Sequence, residues 1–185
     1  MTVREAGESA DLRRFYSLYL KTMRKHGALP RSFRQLALAR RHLGPEVFKL
    51  FVAELDGEIL AGGVFHAFGD TLELLYNASE PGSSGYAPNF ALYFSSMRWA
   101  VESGFRTFDF GGALEGTSLG DFKRRWGAEP VAIWRYEYPM SAGAANGADA
   151  RPTVSATDSS RLAPLLQRSP LALTRLLGTA AYRYV

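Results

Sequence analysis

At 185 residues, 46% apolar and 13% aromatic, the chain is long enough to bury one ordinary core and too apolar to stay unfolded. It contains no cysteine, which excludes disulfides, thiolate nucleophiles and cysteine-held metals, and its histidines His26, His42 and His66 lack ligand spacing, so no metal site is expected. The net charge of +4 is unevenly spread: ten Lys and Arg against three acids in residues 1–45, seven against thirteen in 46–140, and five against two in 141–185. So basic a front end suits an acidic or phosphate-bearing partner, and equally a pair of solvated helix faces.

Thr2–Ala6 suits a short strand. Asp11 to His26 reads as a helix, because Leu12, Phe15, Tyr16, Tyr19, Leu20 and Met23 recur at three- and four-residue steps. Asp11 or Ser9 can cap its start, and Gly27 suits its stop. After Pro30, Ser32 and Gln35 form a capping box for a second helix that ends at Gly44-Pro45. The period then changes to that of strands: Phe48–Leu55, Glu58–Phe68 and Thr71–Asn77, joined by Asp56-Gly57 and Gly69-Asp70, predict an antiparallel meander.

Glu80 to Ala87 is a loop of small residues, and Pro88 opens a third helix through Asn89 to Ser103. Phe105–Phe110 predicts a short strand stopped by Gly111-Gly112. Ser118 and Asp121 predict the boxed start of a brief helix closed by Gly127, and Val131–Tyr138 a last strand. Residues 1–140 are therefore one domain, 141–160 a flexible linker rich in small residues, and 161–185 an amphipathic helical segment. In that segment Ser169-Pro170 serves as cap and first turn, and Leu173, Leu176, Leu177 and Ala180 form an apolar face suited to docking on the domain, to a partner or to a membrane surface. The N-terminus lacks an apolar signal core and no apolar run reaches membrane-spanning length, so a cytoplasmic location without a transmembrane segment is expected.

This order of elements is that of the GNAT-like acyltransferases, an α+β fold with a central, mostly antiparallel twisted sheet flanked by helices. The stretches beginning at Asp11 and Lys21, Ala53-Glu-Leu-Asp-Gly, Phe68-Gly-Asp, Ala87-Pro-Asn89, Phe108-Asp-Phe-Gly-Gly112 and above all Phe122-Lys-Arg-Arg-Trp-Gly-Ala-Glu-Pro-Val131 resemble the FemAB branch, and in particular its C-terminal half. The resemblance implies transfer of an acyl or aminoacyl group from acyl-CoA (acetyl-CoA among them) or aminoacyl-tRNA to an amine. The acceptor is a small molecule, glycan or peptide, such as a peptidoglycan or polysaccharide precursor. No tightly bound cofactor and no DNA partner are implied. FemAB proteins usually carry two such halves, so a homodimer or a partner domain is the counterpart of the single half here.

Acyl transfer to an amine needs a donor holder, a group that stabilises the developing oxyanion and a path for the amine proton. In GNAT enzymes the donor loop precedes the third helix, here Gly82, Ser83, Ser84, Gly85, Tyr86 and Ala87, whose amides suit phosphate; a plain glycine-rich turn fits the same residues. In the aminoacyl-transferring branch the pair matching Phe122-Lys123 meets the donor, the ring on the terminal adenine and the ammonium at the acyl carbonyl. Read without that likeness, Phe122 and Trp126 are core residues and Lys123 is solvated. Asp109 suits either a general base or a cap for the Gly111-Gly112 turn. Glu73 lies where several GNAT enzymes place a base, although alternation with Leu72 and Leu74 also suits a solvent-facing side chain. Tyr76, Asn77 and Asn89 flank the loop and can hydrogen-bond a substrate.

Two readings outside catalysis remain. One is a binding module that keeps the fold and uses the basic helices. The other is RNA handling through Arg13, Arg14, Arg24, Lys25, Arg31, Arg34, Arg40 and Arg41, against which the aromatic residues fall on the apolar stripe instead of the basic face.

Overall fold

The computed structural model describes residues 1–134 and 159–182. They fall into two compact units, Met1–Gly111 with Ser159–Val185, and Gly112–Asp158. The first unit holds a five-stranded sheet in the order β1-β2-β3-β4-β5, from β1 (Thr2–Glu5), β2 (Phe48–Leu55), β3 (Glu58–Phe68), β4 (Thr71–Ser79) and β5 (Thr107–Asp109). The first three pairings are antiparallel, and β4 and β5 run parallel. The predicted meander is present almost residue for residue.

Helices α1 (Ser9–His26) and α2 (Phe33–Val47) pack on one face of the sheet. The core there joins Leu12, Phe15, Tyr16, Tyr19 and Leu20 to Leu36, Phe48, Leu50, Val52, Val64 and Ala78. The predicted stripe of α1 is thus its buried side. Helix α3 (Pro88–Glu102) covers the other face, where Phe51 meets Phe65 and Trp99 at ring distances of 5.6 and 5.1 Å, and Phe65 meets Phe108 at 5.8 Å. The meander carries Gly62-Gly63 because side chains crowd both faces at that point. A methyl group on Gly62 would lie 2.6 Å from the Phe15 ring, and one on Gly63 2.7 Å from the Phe65 ring.

Several local expectations change. The N-cap residue of α1 is Glu8, and Asp11 in the first turn instead takes a bidentate pair from Arg4 at 2.8 and 3.0 Å. Arg4 also reaches Glu54 at 2.9 and 3.0 Å, tying β1, α1 and β2 together. Helix α2 has its predicted capping box, Ser32 with Gln35, and breaks at Gly44, whose φ of 72° and ψ of 173° are non-helical, before one further turn to Val47. Strand β5 is shorter than predicted. The amides of Arg106 and Thr107 both donate to the Asp70 carbonyl, at 2.8 and 3.1 Å, so the turn before β4 holds the chain until pairing begins.

In the second unit, helix α4 (Ser118–Arg125) is capped by Thr117, one residue earlier than predicted: the Thr117 hydroxyl accepts from the Gly120 amide at 3.3 Å. Residues 131–134 are not strand, and Val131, Ile133 and Trp134 are exposed. The rest of the predicted last strand, 135–138, and the predicted linker up to residue 158 lie outside the described residues.

Helices α5 (Ser159–Arg168) and α6 (Leu171–Ala181) pack against α1, so the predicted linker's last two residues are helical. Docking occurs by a different side of α6 from the one predicted. Its buried residues are Thr174 and Gly178, and a side chain on Gly178 would strike Pro30. Leu173, Leu176 and Leu177 are exposed. Small residues let the backbones approach closely, which no leucine at those positions would allow. Ser169 does not cap α6, which starts after Pro170; its hydroxyl is 2.8 Å from that of Thr174 in a buried pair.

Candidate active site

Strand β4 organises the site. Val64 pairs with Tyr76 and Phe65 with Leu74, so Leu75 is an extra residue in the ladder, a β-bulge. In a regular strand Leu75 and Tyr76 would point to opposite faces. Here both line one cavity of about 190 Å³ together with Arg31, Gln35, Phe48 and His66. The bulge also carries Asn77 over to the α3 side.

The cavity walls are held by the aromatic core. Tyr16 donates its hydroxyl to the Arg31 carbonyl at 3.1 Å, and the Arg31 amide donates to the Tyr19 hydroxyl at 3.2 Å. The two tyrosines therefore fix the α1–α2 connection from below. Burial pushes the Tyr19 phenol up to about 12, which keeps it neutral and able to accept. The Tyr19 ring meets Tyr76 edge-on at 5.5 Å. At the rim, the Arg31 guanidinium stacks 4.2 Å over the Tyr182 ring, and Gln35 donates to the Tyr182 carbonyl at 3.3 Å. Both rim side chains are thus preorganised.

His66 is half-buried, and burial lowers its pKa while the cross-strand carboxylate of Glu73 opposes that shift. At neutral pH the imidazole is uncharged and can accept a proton. The ladder sets His66 opposite Glu73, and Glu73 beside Asp109, in one row across β3, β4 and β5. The Asp109 carboxylate accepts from the Gly111 amide at 2.7 Å.

On the α3 side, Asn77 donates to Asn89 at 3.3 Å and to the Gly62 carbonyl at 3.5 Å, and Asn89 donates to the Ser79 hydroxyl at 3.5 Å. These bonds hold the start of α3 against the end of β4. The ladder between β4 and β5 ends at Glu73 and Asp109, whereas β4 continues to Ser79. The two strands part where α3 begins.

The loop there forms a 3₁₀ turn over Ser83–Tyr86. Ser84, Gly85 and Tyr86 are exposed, and Ser83 is buried, donating to the Glu80 carbonyl at 2.7 Å. Lys21 clamps the Glu80 carboxylate at 2.7 Å through both oxygens. Helix α3 opens with Pro88 and has neither a side-chain cap nor an acid in its first turn, so its positive end faces no protein carboxylate from that turn.

Phe122 and Lys123 belong to the second unit, on α4. The Lys123 ammonium donates to the Gly112 carbonyl at 2.9 Å, and Phe122 packs edge-on to Trp126 at 6.2 Å. Both side chains are half-buried.

The structure therefore brings Asn77 to Asn89, Glu73 to Asp109, and Tyr76 into a cavity. Sequence reasoning missed three residues of that cavity. Gln35 was legible only as a capping residue and Arg31 only as one charge among many. His66 carried no signal, because its placement depends on the partner strands.

A curled mixed sheet whose bulged fourth strand parts from a parallel fifth strand at a loop-to-helix junction defines the N-acyltransferase class of α+β proteins. The chain belongs to the acetyltransferase (GNAT) domain family, whose model matches residues 1–124. It is 25% identical over 119 residues to the UDP-N-acetylmuramoylpentapeptide-lysine N(6)-alanyltransferase of Weissella viridescens, covering 64% of this chain and 35% of that protein. It is 33% identical over 92 residues to the lipid II:glycine glycyltransferase of a Staphylococcus epidermidis strain, covering 46% of this chain and 22% of that one. The chain thus spans about a third or less of the curated relatives it matches. The crystal structure of FemX aligns with a TM-score of 0.61 at 19% identity, over 68% of this chain and 50% of that one. The FemAB-type resemblance and the GNAT-like fold both stand: this is a GNAT-type acyltransferase domain related to the Fem-type aminoacyltransferases.

Proposed function

We propose that the protein transfers an acyl or aminoacyl group, from acyl-CoA or aminoacyl-tRNA, to a primary amine on a cell-wall or polysaccharide precursor. The observation that carries this reading is the bulge at Leu75, which sets Leu75 and Tyr76 on one side of the sheet and Asn77 on the other. Tyr76 serves a cavity sized for an amine-bearing side chain, and Asn77 the gap beside α3 where a donor can lie.

In the reaction the amine nitrogen attacks the donor carbonyl carbon and a C–N bond forms. The C–S bond of a thioester or the C–O bond of an aminoacyl ester breaks, and the leaving sulfur or oxygen takes up a proton. The amine's proton passes to a base, for which neutral His66 and the carboxylates Glu73 and Asp109 are candidates. The donor's phosphates lie on the amides of Gly82, Ser84, Gly85 and Tyr86 and the start of α3 at Asn89. Phe122 and Lys123 take the donor roles that the family likeness implies, the ring stacking and the ammonium stabilising the oxyanion.

The test is thermal denaturation with acetyl-CoA, longer acyl-CoAs and a non-hydrolysable aminoacyl-RNA analogue, followed by turnover on a lysine-containing muropeptide. At about 100 times Kd a donor adds about 2.7 kcal/mol, or about 5–10 °C of Tm in a chain this size. A donor that stabilises the protein, with turnover that Lys123→Ala removes, supports the reading. No shift with any donor would reject it.

A further inference from the structure

The docked C-terminal helices leave a second surface with no role in acyl transfer. On α6 the side facing the domain carries Thr174 and Gly178. The opposite side carries Ala172, Leu173, Leu176 and Ala180, flanked by Leu177, all exposed; Leu176 retains 64% of its accessible surface and Leu173 43%. In α5, Leu165 is 68% exposed. A helix that docks by its small residues and turns its leucines outward reverses the usual amphipathic arrangement, so those leucines serve something other than this fold's core.

The charges around them indicate what. Residues 159–182 contain Arg161, Arg168 and Arg175 and no Asp or Glu. Arg168 and Arg175 are exposed. The segment lies against the basic end of α1, where Arg24, Lys25 and His26 fill the last turn: Gln167 donates to the Lys25 carbonyl at 3.2 Å, and Ala163 abuts Gly27. A second copy meeting this face about a two-fold axis would bring the same basic charges, with no carboxylate from residues 159–182 to answer them. An anionic lipid surface instead takes the leucines among its acyl chains and the arginines among its phosphates.

We propose that α6, with its arginine rim, is a peripheral docking surface for a bilayer containing anionic lipid, laid parallel to the membrane plane. Among the described residues no helix is long and apolar enough to cross a membrane, so the attachment is interfacial. It is independent of the acyl-transfer reading.

The experiment is flotation of the full chain with vesicles of phosphatidylcholine alone and of phosphatidylcholine mixed with phosphatidylglycerol. Binding to the mixed vesicles, weakened by salt, is expected. The double variant Leu173→Asp/Leu176→Asp should bind at least about tenfold more weakly, with its thermal midpoint unchanged because both positions are exposed. Arg168→Gln/Arg175→Gln should lose the preference for phosphatidylglycerol. Should the double variant fail to fold, Leu176→Ser carries the same comparison. Absence of the wild type from mixed vesicles would overturn the proposal, as would undiminished binding of a folded leucine variant. A wild-type dimer in sedimentation velocity that the leucine variant converts to monomer, with no vesicle binding, would assign the face to a second copy and overturn it too.

Discussion

Gly62→Ala is the sharpest probe of how α1 meets the sheet. The added methyl would sit 2.6 Å from one Phe15 ring carbon and 3.3 Å from the next, where ordinary carbon contacts lie at about 3.5–4.0 Å. Phe15 is fully buried and stacks on Tyr19 at 6.2 Å, so its ring has no free volume to enter and α1 must lift by about an ångström. Overpacking of this kind costs about 1–3 kcal/mol, and relief of the glycine's entropy returns about 0.5–1 kcal/mol. The net loss is about 0.5–2 kcal/mol, or about 1–8 °C of Tm at this chain length. Urea denaturation of Gly62→Ala, Phe15→Leu and the double variant measures it. The second substitution should recover part of the first, giving a favourable coupling of about 0.5–2 kcal/mol. An unchanged or raised midpoint for Gly62→Ala, or strict additivity, would refute the close-packing argument.

Lys123→Ala should lower turnover by about a hundredfold or more, with Lys123→Arg intermediate and Tm nearly constant, if the ammonium meets the oxyanion; steady-state kinetics on the responsive donor decides. Asn89→Ala should raise the donor KM more than it lowers kcat, because it removes a group that positions the start of α3. Arg4 holds the Asp11 carboxyl below its ordinary value of 3.8. A depressed carboxylate stabilises the fold above its unfolded pKa and loses that contribution as pH falls through the folded value. The stability gap between wild type and Asp11→Asn should therefore be present at pH 7 and close below about pH 4, as urea titrations at several pH values would show. The lowered pKa of His66 has the same sign: its stabilising contribution, complete above the ordinary 6.5, declines as pH falls below it. An NMR titration of the His66 ring should give a midpoint under that value.

The fold was legible because its signals are local. The stripe on α1, the Ser32–Gln35 box, the two short turns of the meander and Pro88 at the start of α3 each depend on near neighbours in sequence, and each is where expected. The less legible features depend on distant partners. Asp11 looked like a cap, but Arg4 and Glu54 from two strands claim that corner. The outward leucines of α6 looked like a docking face, and only the proximity of Pro30 shows why glycine and threonine dock instead. The bulge at Leu75 is a matter of register between strands, to which periodicity within β4 is blind, so neither the cavity nor the place of His66 in it could be read beforehand.

That single extra residue acts as a phase marker. Everything from Tyr76 to Ser79 takes its side of the sheet from it. Deleting Leu75 would close the bulge and leave Tyr76 toward α2 and Asn77 toward α3, whereas pairing Leu75 into the ladder without a bulge would turn Tyr76 toward α3 and Asn77 toward α2. The sides taken by Tyr76 and Asn77 therefore depend on the pairing that skips Leu75 more than on the identity of the side chain at that position.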